Sequence, residues 1–307
     1  SEAEDAYTRS LAYWQSAGDS IWQPTILNNL GVLQHTKGDF VNSFINFEKS
    51  MHYSQITGNQ RIEGYSLASI GDLYRDLSAL QEAEDAYQKA LEIAQIIEDQ
   101  FLVFYLKTTQ ARLSVAKKQY KKARLQIRGA QTLAKKSGSL YEINKYRLEQ
   151  GALDFWIGNY GRAIENLLLS RDFFNKEGYI EDMVRNQFFL FLSHIQSGEL
   201  EPAKKSLERI MDNLTESNHH IPCMSAANEV RELLKPLQNR KFFTEIMSKI
   251  IKELNNFQKL AQKSRRTIRK QASVVPFAAA KIIIRTFGAI EVISGGHTLA
   301  IANWTTQ

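Results

Sequence analysis

The sequence repeats itself every forty residues, and a fixed period of that length means that one supersecondary unit is being stacked. Small residues stand at Gly31, Gly71, Ala111 and Gly151, with Phe191 in the same column. A large apolar residue follows at Phe40, Leu80, Tyr120, Tyr160 and Leu200. The next columns are Ser43, Ala83, Ala123, Ala163 and Ala203; then Phe47, Tyr87, Ile127, Leu167 and Leu207; then Ser50, Ala90, Ala130, Ser170 and Ile210. Turn residues keep the step at Gly18, Gly58, Gly138 and Gly178, with Glu98 as the exception. One period back from the first unit lie Ala3, Tyr7 and Ser10, so residues 1–17 read as the second helix of a unit whose first helix is missing.

Each unit reads as two antiparallel helices. In the first, Pro24 sits at a helix start, where its missing N–H costs nothing, and Leu27, Leu30, Gly31 and Leu33 lead to the turn Lys37-Gly38-Asp39. Its partner runs from Phe40 through Phe44, Phe47 and Met51 to Gly58, an apolar stripe at three- and four-residue spacing. Helices approach closely only where side chains are small, so Gly31 with Ser43, and Gly71 with Ala83, are predicted to mark the crossing within each pair. With only five prolines in 307 residues, composition agrees with an all-α solenoid. There is no apolar stretch of about eighteen residues to span a membrane. A lone cysteine, Cys223, and a start without the basic-then-apolar order of a signal peptide suggest a soluble protein of the cytoplasm.

Leu30-Gly31 with Ser43 and Phe47, Ile70-Gly71-x-x-Tyr74 with Ala83 and Tyr87, and Ala163 with Leu167 resemble the tetratricopeptide pattern. The likeness covers residues 1 to about 216 and departs from the family in its period, since the usual unit is about thirty-four residues. Long units of this kind resemble the arrays of bacterial MalT-like transcription regulators, and a generic helical-pair solenoid is the other reading. The resemblance implies a right-handed superhelix whose first helices line a concave groove, and an upstream nucleotide-binding switch domain.

After Ile210 the columns fail, with Arg231 in the small position. An array must end on a helix that is polar outside, so residues 219–271 are expected to cap residues 1–218. Residues 272–280 read as a linker. Residues 281–307 switch to short β-branched runs with hairpin chemistry at Ser294-Gly295-Gly296, which predicts a short antiparallel β segment. Phe287-Gly288, Glu291-Val292, Gly295-Gly296 and Trp304 resemble the opening sheet of the winged-helix domain in OmpR-like bacterial activators. On that reading the chain continues past Gln307 into a DNA-binding helix; the alternative is a β appendage packed on the caps.

Catalytic chemistry finds no support: no Gly-rich phosphate loop, His-x-x-x-His pair or G-x-S-x-G elbow occurs, and neither a metal nor a cofactor is expected. His219-His220-x-x-Cys223 reads as solvated histidines beside a buried thiol. Residues directly after the small column or one turn from it on the first helices are expected to face the groove: Asn28, His35, Asp72, Arg75, Thr108, Arg112, Leu148, Phe155 and Phe188. Polar at one end and apolar at the other, such a groove suits a peptide, a small amphipathic ligand or a protein partner. The apolar members have a second reading, as packing between neighbouring helices. The net charge of +6 is concentrated between Lys235 and Lys281, where twelve Lys or Arg face only Glu245 and Glu253. Its densest run, Lys263, Arg265, Arg266, Arg269 and Lys270, suits either phosphate contact or a solvated helix end whose cations match the dipole. The expected function is therefore recognition by a regulator's sensor segment, or by a free-standing scaffold.

Overall fold

The computed structural model describes residues 2–18, 20–215, 219–239 and 243–276, and the backbone of three strands beyond them. Eleven helices precede the expected cap: α1 (Glu2–Ser16), α2 (Gln23–Thr36), α3 (Phe40–Thr57), α4 (Gln60–Asp76), α5 (Leu80–Ile96), α6 (Gln100–Ala116), α7 (Tyr120–Ser137), α8 (Leu140–Trp156), α9 (Tyr160–Glu177), α10 (Ile180–Gln196) and α11 (Leu200–Thr215). Even-numbered helices from α2 to α10 each pair with the helix that follows, forming five stacked hairpins of an α-solenoid, with α1 against α2. None of the described helices is long and apolar enough to cross a membrane.

The forty-residue columns are the core. Ser43, Ala83, Ala123, Ala163 and Ala203 are all fully buried, and so are Ser50, Ala90, Ala130, Ser170 and Ile210. The glycine column is a steric requirement: a Cβ on Gly31 would lie 2.6 Å from the Phe47 ring, and one on Gly151 2.7 Å from Leu167. Of the hydroxyls in these columns, Ser170 donates to the Leu167 carbonyl and accepts from Asn186, whereas the buried Ser43 Oγ has no partner among the described residues. Ser50 donates to the Pro24 carbonyl at 2.7 Å and stands 2.8 Å from Ser66. Between hairpins, Asn59, Asp99 and Ser139 accept a hydrogen bond from a backbone N–H of the next helix's first turn, each closing an otherwise orphan donor.

The turns explain the one exception to the glycine column. Gly58, Gly138 and Gly178 end their helices at φ 68°, 69° and 73°, and Glu98 takes the same left-handed place at φ 55°. Ser78 and Lys118 do likewise, at φ 57° and 58°, in the column of Gly38, Gly158 and Gly198. An L-residue there costs about 1–2 kcal/mol.

The C-terminal helices touch both the last hairpin and the first. They are α12 (His220–Glu229), α13 (Arg231–Leu234), a 3₁₀ turn (Lys235–Asn239) and α14 (Thr244–Ile268). Helix α12 packs on α10 and α11, but α14 packs on α12 and on α3. Phe243 meets Phe191 of α10 edge-on at 5.7 Å, and Phe257 meets Phe40 of α3 at 6.0 Å. At 25 residues α14 is about 37 Å long, so it carries the chain from the fifth hairpin back to the first. Beyond it, β1 (Ile282–Arg285), β2 (Glu291–Ser294) and β3 (His297–Leu299) pair antiparallel in the order β1-β2-β3, with Ile283 opposite Ile293 and Ile293 opposite Thr298. Phe287, Gly288, Gly295, Gly296 and Trp304, which carry the winged-helix resemblance, lie outside the described residues, as does Gln307.

Replacing Glu98 with glycine is expected to raise stability by about 0.5–1 kcal/mol, the left-handed strain relieved less the glycine's extra unfolded-state entropy. Urea unfolding of the variant beside the parent chain measures it, and an unchanged or lowered midpoint contradicts the strain.

Candidate functional site

The first helices of the hairpins converge on a common interior, and what they carry there is charge. Arg75 on α4 meets Asp72 at 2.7 Å, Asp76 at 3.1 Å and Glu181 of α10 at 3.3 Å. Glu181 also accepts from Arg112 of α6 at 2.8 Å, and Arg112 reaches Glu229 of α12 at 2.9 Å. Arg185 of α10 then joins Glu229 and Glu149, each at 2.8 Å, and Lys145 links Glu149 to Asp182. The chain of ion pairs is continuous through six carboxylates and four cations, so it carries two excess negative charges. Tyr87 and Tyr105 both donate to Asp72, His35 pairs with Asp76 at 3.1 Å, and Ser225 of α12 donates to Asp76 at 2.8 Å.

Burial opposes charge on Asp76, Glu181 and Glu229, and the opposite charges overcome it. Despite desolvation, Arg75 and His35 hold the Asp76 carboxyl well below the usual carboxylate range. Glu181 is drawn to about 2 by Arg75, Arg112 and Lys145, and Glu229 to about 2 by Arg185 and Arg112, each against the same penalty. Burial first, then Asp72, pushes the Tyr87 and Tyr105 hydroxyls well above their ordinary value. They stay protonated as donors.

Two cavities flank α12. The larger, about 620 Å³, is walled by the end of α2 (Leu33, His35, Lys37), by Asp76, by Tyr141 and by the start of α10 from Tyr179 to Asp182, with Ile221, Pro222 and Ser225 of α12. The Glu181 side chain is 50 % exposed, because it is part of this wall. Its Oε1 takes both arginines, leaving Oε2 without a hydrogen bond among the described residues. Tyr141 and Tyr179 lie ring to ring at 4.8 Å beside it. The second cavity, about 370 Å³, lies among Arg75, Arg112, Lys118, Trp156, Asn228 and Glu229, and the Trp156 Nε1 is buried without a partner among the described residues.

Of the residues expected in the groove, the structure brings His35, Asp72, Arg75 and Arg112 to this interior. Four do not face it. Leu148, Phe188 and Thr108 are fully buried and Phe155 is 5 % exposed. The apolar side chains pack between helices; Phe155, for instance, sits against Trp156, Tyr160 and Phe189, and Thr108 bonds the Tyr105 carbonyl of its own helix. The apolar wall is core because each first helix is covered on that side by its neighbour. Asn28 is half-buried on α2 and lines neither cavity. In the basic run, Arg265 donates to the Ser78 carbonyl at 3.3 Å, while Lys263, Arg266, Arg269 and Lys270 are exposed near the end of α14. Burial pushes the Cys223 thiol up to about 12, and no three His, Cys, Asp or Glu side chains converge as a metal site among the described residues.

Glu149, Lys145, Arg185, Glu181, Asp182 and Glu229 were not foreseen. A signal for some of them exists: Tyr105, Lys145, Arg185 and Ser225 stand in one forty-residue column, and all four join the interior network. That column lies two turns before the small one, nearer the helix start than the positions taken as groove-facing.

Glu229→Gln removes the negative charge that Arg112 and Arg185 share and replaces one of the two accepting oxygens with an amide donor, and should destabilise the chain by about 3–5 kcal/mol. Because the folded-state values of Glu181 and Glu229 are depressed to about 2, their contribution is complete above the unfolded value near 4.3. It is lost as pH falls from there through about 2. Thermal unfolding across that window should show a steep fall for the parent chain and a shallower one for the variant; parallel profiles count against the network.

Residues 65–96, spanning most of α4 and all of α5, match the tetratricopeptide repeat. No curated protein matches the chain. Among solved structures it is similar to a Rap protein complexed with competence and sporulation factor, at TM-score 0.61 and 12 % identity over 86 % of this chain and 81 % of that one. It is also similar to the apo form of RapI, at TM-score 0.56 and 15 % identity over 87 % and 70 %. A third is a signal-transduction ATPase with a tetratricopeptide repeat sensor from Pyrococcus horikoshii, at TM-score 0.50 and 14 % identity; 87 % of this chain covers 42 % of it. At these identities the likeness is one of fold. The chain folds as a tetratricopeptide-type solenoid, an architecture that generally serves as a non-catalytic scaffold for binding other proteins.

Proposed function

We propose that the chain is the sensing segment of a multidomain transcription regulator, and that recognition takes place in the 620 Å³ cavity beside α12. The observation that carries this reading is Glu181: a half-exposed carboxylate in the cavity wall, with one oxygen that has no hydrogen bond among the described residues and two aromatic rings beside it. Next to a network with two surplus negative charges, that wall favours a cationic group, a guanidinium or ammonium, while Leu33, Ile180 and Ile221 suit an apolar neighbour. A short peptide with one basic side chain, or a small amphipathic amine, meets both demands. Two similar solenoids lend support, one being complexed with a factor and the other serving as a sensor within a signal-transduction ATPase. The regulator context rests on the MalT-like repeat length and on the winged-helix resemblance of residues 281–307, and the exposed Lys263, Arg266, Arg269 and Lys270 would meet DNA phosphates beside such a domain.

The second reading, a free-standing scaffold, keeps the cavity and drops the DNA. Fluorescence titration with two sets of short amphipathic peptides, matched except for a single arginine, addresses the cavity. The arginine set should bind and the neutral set should not, and Glu181→Gln should weaken binding about tenfold, the loss of one charge-assisted contact of about 1.4 kcal/mol. Equal binding of both sets, or an indifferent variant, rules the cavity out as the site.

A further inference from the structure

The segment that leaves α14 is held by contacts unrelated to the cavity. After Ile268, which is fully buried, the helix ends and the chain runs without regular structure over α3, α4 and α5. Glu48 Oε1 of α3 accepts from the Ser273 N–H at 2.7 Å, the Val274 N–H at 3.0 Å and the Ser273 hydroxyl at 3.1 Å. Lys89 of α5 donates to the Val274 carbonyl at 3.1 Å. The Tyr74 hydroxyl of α4 donates to the Val275 carbonyl at 2.8 Å, and Val275 itself is 2 % exposed.

Four main-chain groups in three consecutive residues are thus read by three side chains from two hairpins, with one small β-branched side chain buried as an anchor. A linker tethered only at its ends needs none of this. Such contacts are how peptide-binding surfaces hold a bound segment: main-chain hydrogen bonds supply affinity and a pocket supplies selectivity. Here the bound segment belongs to the same chain, and the tether from α14 makes its effective concentration high.

One turn of helix connects this slot to the interior. Tyr74 holds the segment, while its neighbours Asp72, Arg75 and Asp76 hold the ion network, and the Ser78 carbonyl just beyond accepts from Arg265 of α14. Asp76 further ties that turn to α2 through His35 and to α12 through Ser225. Anything that rearranges the Asp76 partners shifts the backbone on which Tyr74 stands.

We propose that residues 273–275 are a latch, bound as a peptide by Glu48, Tyr74 and Lys89, and that the last turn of α4 passes the state of the interior network to it. The consequence is a route from the inside of the solenoid to whatever follows residue 275. The contacts of slot and network are all made between groups of this chain, so they can be examined in the full chain apart from any peptide binding.

Hydrogen exchange read at residues 272–276 tests both halves. In the parent chain the Ser273 and Val274 amides should be protected. Glu48→Ala, and separately the pair Tyr74→Phe with Lys89→Ala, should speed exchange there about tenfold or more, with α8 and α9 unchanged as the control for folding. Asp76→Asn touches no atom of the segment, and it should speed the same amides about threefold or more; Ser225→Ala should act in the same direction. Exchange of the parent amides at the rate of an unstructured chain overturns the latch. Slot variants that act while Asp76→Asn and Ser225→Ala leave the segment unmoved overturn the transmission. Protection that disappears on dilution places the segment in the slot of a second copy, and overturns the intramolecular latch.

Discussion

Arg112 and Arg185 meet on one carboxylate, Glu229, and the position of α12 depends on that meeting. The two arginines come from different hairpins, and both are at most 6 % exposed. Taking four cations and six carboxylates out of water is costly, and the cost is met only when each ion finds its partners in good geometry. With Glu229 in place the circuit from Asp72 to Asp182 is complete; without it both guanidiniums lose an acceptor inside the solenoid. Helix α12 therefore finishes the interior electrostatically as well as covering an apolar face, where Cys223, Met224, Ala226 and Ala227 are buried.

This also explains why the interior is divided. A tetratricopeptide-type array usually offers an open inner surface, but here that surface is pulled together, since α4 and α6 touch α10 through Glu181. What remains are two chambers on either side of α12, one with Glu181 and paired tyrosines in its wall and the other with Arg75, Arg112 and Trp156. A ligand inside would contact groups already bound to one another. Its binding is then an exchange of partners within the network, a circumstance in which small changes at one group are felt by several helices.

The hairpins were legible in the sequence because their packing is local. Gly31 and Phe47, or Gly151 and Leu167, lie sixteen residues apart and repeat their relation at a fixed step. The inner network was legible only in part. His35 and Arg75 stand one turn after the small column and Asp72 and Arg112 directly after it, so counting along the helix found them, but the same counting placed Leu148, Phe155 and Phe188 in the groove when neighbouring hairpins cover them. Which side of a helix stays open depends on how successive hairpins rotate against each other, and that rotation is written in no single column. Glu181 touches Arg112 across 69 residues and Glu229 touches it across 117, separations that local periodicity does not address. Residues 219–271 read as a cap in the sequence, and nothing in that reading indicates that Phe257 finds Phe40.

That last contact sets a limit on the architecture. Stacked repeats usually gain or lose a unit with little effect on the others, because each touches only its neighbours. Here Phe243 is anchored on the fifth hairpin and Phe257 on the first, joined by a helix of fixed length. An inserted or deleted hairpin would change the span while leaving the strut unchanged, so one of the two anchors would have to come away. The number of repeats in this solenoid is thus fixed by the length of a single helix, as the size of a hoop is fixed by its brace.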